Sequence, residues 1–166
     1  FSKNIKKYIN KKFILFFLVL VLLIIKLVSI KFTNFNLFGD EAQYWLWSKE
    51  LDFGYFSKPP FLAWGIRFYS ELFHDSFFYL KIFPSAVYFL ITSSIYILLK
   101  NLGLDNQNAF TGSLTFLFIP AVSFSSFIIS TDLFLLLFWT LSLNELIKIL
   151  KYQRISSFIF LGVFLG

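Results

Sequence analysis

FFYLKIFPSAVYFLITSSIYILLK, residues 77–100, decides the class of fold. It is a predominantly apolar run closing on Lys100. At about 1.5 Å per residue, a helix of this length crosses the roughly 30 Å hydrocarbon core of a bilayer. Beyond it, Asn101-Leu-Gly-Leu-Asp-Asn-Gln-Asn108 is rich in residues that break helices and reads as a short turn. A third span is predicted over 109–129, with a kink at Pro120. Ser130-Thr131-Asp132 then leads into a fourth span at 133–150, and a fifth begins at 155 and runs to 166. Upstream, 13–32 reads as the first span, with Lys26 and Lys31 near its far end, where long side chains snorkel to the interface. Residues 1–12 form a basic N-terminus, and a polar and aromatic segment occupies 33–76.

Composition agrees with an all-α, polytopic membrane protein. The chain is 58% hydrophobic and only 14% charged, against about 25% charged in soluble domains. Cysteine is absent, which excludes a disulfide framework and thiolate metal sites. The net charge of +6 does not point to nucleic acid, because Lys3, Lys6, Lys7, Lys11 and Lys12 sit directly before a span. Such clusters hold a terminus on the cytoplasmic side. A cleaved signal peptide is disfavoured, because no small-x-small site follows the apolar stretch. The sequence contains no methionine, and its last apolar run stops at Gly166, so a piece of a longer protein is expected.

With the N-terminus inside, Lys100 and the group Lys148, Lys151 and Arg154 also fall inside, as the positive-inside rule requires. The segment 33–76, with three basic and six acidic residues, then lies outside. Asp40, Glu41, Lys58 and Asp132 share that non-cytoplasmic face. Within the segment, 40–50 reads as a short helix with acids in its first turn, where the helix dipole favours them. Phe61 to His74 reads as a second helix, too short to span, with Arg67, Ser70, Glu71 and His74 in one polar stripe. Two amphipathic helices lying on the outer leaflet are predicted.

Three places carry candidate chemistry. Asp40-Glu41 stands where the chain leaves the first span: a carboxylate there serves as general base for a hydroxyl acceptor, or the pair only caps a helix. In Phe56-Ser57-Lys58-Pro59-Pro60, the following proline keeps Lys58 extended and Pro60 suits a helix start. That fixes one ammonium group to grip a lipid phosphate, or it is a stiff turn with a snorkelling lysine. Asp132 is either part of a helix N-cap or a costly boundary acid retained for function. His74, a lone histidine, gives no metal site.

Taken in order, the acidic pair, then Tyr55-Phe-Ser-Lys-Pro-Pro60, then Ser130-Thr131-Asp132 opening a later span, resemble one group of membrane glycosyltransferases. These are the C-type-fold enzymes related to dolichyl-phosphate-mannose protein mannosyltransferases. Their bacterial branch includes the lipid A aminoarabinose transferase and similar lipopolysaccharide sugar transferases. The resemblance covers about Phe38 to Leu143. It implies a polytopic transmembrane bundle with two interfacial helices in the first outer loop and an active site on the periplasmic face of the bacterial inner membrane. It further implies Asp40 as principal catalytic carboxylate with Glu41 as its partner, Asp132 as a second acid, Lys58 against the departing phosphate, and Tyr55 lining the cavity. The implied partners are a polyprenyl-phosphate sugar donor and a lipid, glycan or protein acceptor; no cofactor is expected. In the aminoarabinose branch the residue before the lysine is glutamate. Here it is Ser57, so the sugar, the acceptor and any metal contact at that position do not carry over. The alternative is a multi-span transporter or flippase subunit, which would place charges mid-span along a pathway.

Overall fold

The computed structural model describes residues 17, 21, 24–32, 37–73 and 76–166. It divides into two units, Phe1–Phe35 and Asn36–Gly166. In the first, residues 24–32 are helical (α1), with Ile24, Ile25 and Val28 exposed. The basic N-terminus 1–12, most of the span at 13–32, and His74 lie outside the described residues.

The second unit is built of helices: α2 (Gly39–Trp47), α3 (Phe61–Phe73), α4 (Phe77–Leu102), α5 (Asn106–Phe118), α6 (Pro120–Ser125), α7 (Asp132–Tyr152) and α8 (Ile155–Leu165). Among the described residues there is no strand, only an isolated bridge between Tyr55 and Lys58. Of these helices, α4 and α7 are long and apolar enough to cross a membrane, while α8 is a shorter apolar helix. Both long helices expose large apolar side chains, among them Phe89, Leu90, Leu135, Trp139 and Leu150. A surface of that kind suits hydrocarbon rather than water.

The turn after α4 follows from its sequence. Gly103 takes the left-handed conformation at φ 104. The Gly103 N–H donates to Lys100 O at 3.0 Å and the Leu104 N–H to Leu99 O at 3.1 Å. This is the paired closure that a glycine just past a helix end allows. Two residues on, the Asp105 carboxylate accepts from the Gln107 and Asn108 N–H groups and starts α5. The predicted third span is not one kinked helix. Ile119 is extended, at φ −63 and ψ 123, and ends α5, while Pro120 starts α6 as its first residue. A proline disfavours the helical conformation of the residue before it, so the expected kink is a full break. The segment from Ser126 to Thr131 then leads into α7.

Side-chain bonds fix the sense of the two long helices. Ser85 Oγ donates to Ser126 O, just before α7. Asn144 Nδ2 donates to Ser94 O and Oγ, both at 3.0 Å, and Asn101 Nδ2 to Asn144 Oδ1 at 3.0 Å. Lys151 Nζ reaches Asn101 O. Higher numbers on α4 meet higher numbers on α7, so the two run parallel, with α5 and α6 as the return. Lys100, Lys148 and Lys151 therefore gather at one end, and the starts of α4 and α7 at the other.

At that second end sits the core: Tyr44, Leu62, Ile66, Leu80, Phe83, Ile129 and Leu133 pack together with Val87, Tyr88 and Ile91. The short helix α3 buries Leu62, Ala63, Ile66 and Ser70 against it. Ser70 thus departs from the predicted polar stripe: it shares the buried face with Ile66, one turn away. Arg67 and Glu71 do pair on the exposed side, at 2.6 Å.

Candidate functional site

Helix α2 begins at Gly39, with Phe38 extended before it. Consecutive helical residues point about 100° apart, and at this helix start that gives the two acids different exposure. Asp40 is exposed, whereas Glu41 is 1% exposed. The Glu41 carboxylate is fully engaged. Its Oε2 accepts from the Phe38 N–H at 2.9 Å and from Lys81 Nζ at 2.6 Å. Its Oε1 accepts from the Ile129 N–H at 2.8 Å. The bond to Phe38 is the reach-back half of a capping box, which satisfies one of the free N–H groups at a helix start.

Asp40 and Glu41 both line a cleft of about 430 Å³, together with Phe38, Gly39, Tyr44 and the segment Ile128–Ser130, Asp40 as an exposed residue and Glu41 as a buried one. Asp132, the first residue of α7, is not among the residues that line this cleft, although it lies two residues past Ser130. Thr131 occupies the N-cap position but makes no side-chain cap bond. Among the described residues, neither the Asp40 nor the Asp132 carboxylate has an ion pair or hydrogen bond. Tyr44 reports both of them. Burial pushes its phenol above the ordinary tyrosine range, and the negative charges of Asp40 and then Asp132 push it further the same way. Two carboxylates far apart in sequence therefore act on one hydroxyl.

A second cavity, of about 530 Å³, lies on the other side of the same loop. Lys58, Pro59 and Thr131 contribute to it, and its walls are apolar, with Phe61, Leu62, Phe134, Leu135 and Phe138 facing residues 163–166 at the end of α8. Lys58 is exposed and has no acidic partner among the described residues. Its backbone is held by the two-way bridge to Tyr55, with both N···O distances 3.3 Å. Ser130 thus faces one cavity and Thr131 the other.

Tyr55 lines neither of these cavities. Its hydroxyl donates toward Trp47 O at 2.9 Å and Glu50 O at 3.0 Å and accepts from the Asp52 N–H at 3.1 Å. Its ring stacks on Trp47 at 4.8 Å between centroids. The phenol ties together the loop that presents Lys58, and these backbone partners are what keep it out of the cavities. Lys81 is the residue that sequence reasoning passes over. It lies one turn into an apolar span, where a charge needs a partner. Its position is a usable signal, but the partner, 40 residues away, is not. Among the described residues, no three histidine, cysteine or acidic side chains converge as a metal site.

Among the described residues, then, Asp40 with no ion pair lines one cleft and Lys58 with no acidic partner lines a second, largely apolar cavity, in a chain with two helices long and apolar enough to cross a membrane. Residues 57–166 match the model of the dolichyl-phosphate-mannose-protein mannosyltransferase family, and the chain belongs to that family. It is 30% identical over 142 residues to the lipid A galacturonosyltransferase RgtD of Rhizobium johnstonii. The match covers 85% of this chain but only 30% of that relative's length. No solved structure matches it significantly.

Proposed function

We propose that the full-length protein moves a sugar from a polyprenyl-phosphate donor to a lipid acceptor of the lipid A or lipopolysaccharide class, or to a glycan or protein, on the periplasmic face of the bacterial inner membrane. The observation that carries this is the loop 128–131. It borders the cleft of Asp40 on one side and the apolar cavity of Lys58 on the other. A lipid-linked donor has that same division, an apolar tail, a phosphate and then a sugar.

In this reading α2 and α3 lie at the outer interface, and the lysines at the opposite end of α4 and α7 face the cytoplasm. The apolar walls of the second cavity take the first isoprene units. Lys58 faces the phosphate. As the bond from the sugar's anomeric carbon to the phosphate oxygen breaks, that oxygen leaves with the electron pair, and a fixed cation stabilises the growing charge. A hydroxyl of the acceptor forms the new bond and loses its proton to Asp40. Asp132 holds the sugar hydroxyls or the acceptor opposite Asp40. Glu41, with all its partners internal, has a supporting place rather than a chemical one. The acceptor class rests on the relative that acts on lipid A.

The test uses the full-length protein in proteoliposomes, with radiolabelled polyprenyl-phosphate sugars and lipid A as acceptor. Asp40→Asn is expected to lower kcat by about 100-fold or more. Lys58→Ala is expected to lower kcat/KM by about 100- to 1,000-fold. Wild-type transfer that persists fully in both variants would sink the site assignment. Absence of transfer from every donor tried would sink the reaction itself.

A further inference from the structure

Lys81 lines neither cavity, yet it is buried and in contact with Glu41 at the edge of the site. The pair joins three pieces of chain that have no covalent reason to keep their spacing. Glu41 and Phe38 belong to the start of α2, Lys81 to the second turn of α4, and Ile129 to the loop before α7. Lys81 is held from another side as well, with its ammonium 5.3 Å from the centre of the Phe38 ring and 6.0 Å from that of Phe77. Asp40 immediately precedes Glu41, and Asp132 lies three residues beyond Ile129. The pinned carboxylate thus ties the Asp40 side of the cleft to the 128–130 segment that also lines it.

A buried ion pair is a poor device for stability alone, because the desolvation of both charges offsets most of their attraction. Its better-attested use is to fix register, since a partly satisfied buried charge punishes any other arrangement. Here the Glu41 oxygens can take all three donors only when α2, α4 and the 126–131 loop hold this one geometry. Apolar packing around Tyr44, Ile129 and Leu133 tolerates slippage of a few tenths of an ångström far more readily.

We propose that Glu41 and Lys81 are a positioning pair that sets the spacing of Asp40 and the 128–130 segment across the cleft. This rests on the transferase reading for its kinetic consequence, but the geometric consequence stands apart from it.

The experiment therefore reads both, in the full-length protein. Lys81→Met, which keeps the length and removes the charge, is expected to lower kcat per folded molecule by about 100-fold, the penalty of displacing reacting groups by roughly 1 Å. The KM for the lipid donor stays within about threefold of wild type, since the Lys58 cavity is untouched. Lys81→Arg keeps most of the activity. The double variant Glu41→Gln with Lys81→Met is more active than Lys81→Met alone. No charge is then left stranded, and the amide oxygen that replaces the carboxylate still accepts from the Ile129 N–H. The second readout is the rate at which a cysteine introduced as Ser130→Cys reacts with a polar maleimide; it rises several-fold in the Lys81→Met background as the loop is released.

Wild-type kcat together with unchanged labelling in Lys81→Met would overturn the proposal. So would a double variant as inactive as Glu41→Gln alone with labelling unchanged, since Glu41 would then be acting in the chemistry. Raised labelling in a protein that transfers no sugar would leave the pin standing and the transferase reading refuted. Where Lys81→Met fails to fold, Lys81→Arg and the double variant decide the matter on the same two readouts.

Discussion

Gly65 of α3 lies against Phe134 of α7, and adding one methyl group there tests how closely the two helices pack beside the second cavity. A Cβ at this position would meet Phe134 Cζ at 2.5 Å and Cε2 at 2.8 Å, with Phe83 Cζ at 3.4 Å. To reach ordinary carbon–carbon contact the Phe134 ring must retreat by about 1 Å. It is not free to do so, because Phe83 and Phe138 flank it, with centroids 6.4 Å and 6.0 Å away. Two effects of Gly65→Ala oppose each other. Replacing glycine inside a helix is worth about 0.8–1 kcal/mol in favour of folding. Overpacking against a wedged ring costs about 1–3 kcal/mol. The second is the larger, so a net loss of roughly 1 kcal/mol is expected. The cleaner quantity is the coupling between the two positions. With Phe134→Leu the obstacle is gone, and Gly65→Ala should then stabilise. Thermal unfolding of the purified full-length protein in detergent, followed by tryptophan fluorescence near Trp64, gives all four corners of the cycle. A coupling of about 1–2 kcal/mol is expected. Strict additivity would refute the close approach of α3 to α7, and with it the idea that this contact shapes the cavity beside Lys58.

Two further predictions address the bundle and the site. Asn144→Leu removes the donor to Ser94 and the acceptor for Asn101 at the α4–α7 seam and leaves the Ser94 hydroxyl without that partner. Inter-helix hydrogen bonds in membranes average about 0.6 kcal/mol, so with two or three lost the cost is about 1–2 kcal/mol, read as a lower unfolding temperature in detergent; no change would mean the seam is held by apolar packing alone. Asp40→Asn should lower the ionisation point of the Tyr44 phenol, and Asp132→Asn should lower it by less, since a nearby negative charge disfavours the phenolate and Asp40 acts the more strongly of the two. Burial keeps the phenol above the ordinary range in both variants, so it remains protonated at neutral pH. Ring-labelled tyrosine NMR titration, with Tyr44→Phe to assign the signal, checks the order, and insensitivity to both substitutions would mean the two carboxylates do not act on Tyr44.

Much of the helical order is legible in the sequence because hydrocarbon-length apolar runs have few alternative readings. The run at 77–100 is α4, which extends to Leu102 because Gly103 closes it, and the run at 133–150 is most of α7. The third span is where the pattern misleads. A proline inside an apolar run reads equally as a kink or a break, and what decides is whether Ile119 keeps helical angles, a property of neighbours that no local pattern records. Ser70 departs from its expected face for a related reason. Helical spacing puts it with Arg67 and Glu71, but a small hydroxyl sits equally well against a core, and the crossing of α3 over α4 chooses the buried side.

Adjacency in sequence hides the division of labour between Asp40 and Glu41. Read along the chain they are a pair of like residues, and pairing them in one role is the natural inference. Read around a helix they diverge: Asp40 is exposed at the cleft, while Glu41, which also lines it, has its carboxylate buried and bonded. The partner that fixes which is which, Lys81, comes from a span whose apolar character makes its single early charge easy to discount. The physics forces that charge to matter. A lysine in the first turns of a membrane helix must reach the interface or a counter-charge, and here Glu41 is within 2.6 Å. An acid so engaged internally is poorly placed to exchange protons with a substrate, whereas its exposed neighbour is well placed to do so. Under the proposed positioning role, the contact that engages the Glu41 carboxylate also sets where Asp40 stands beside the cleft, which couples the two acids through geometry.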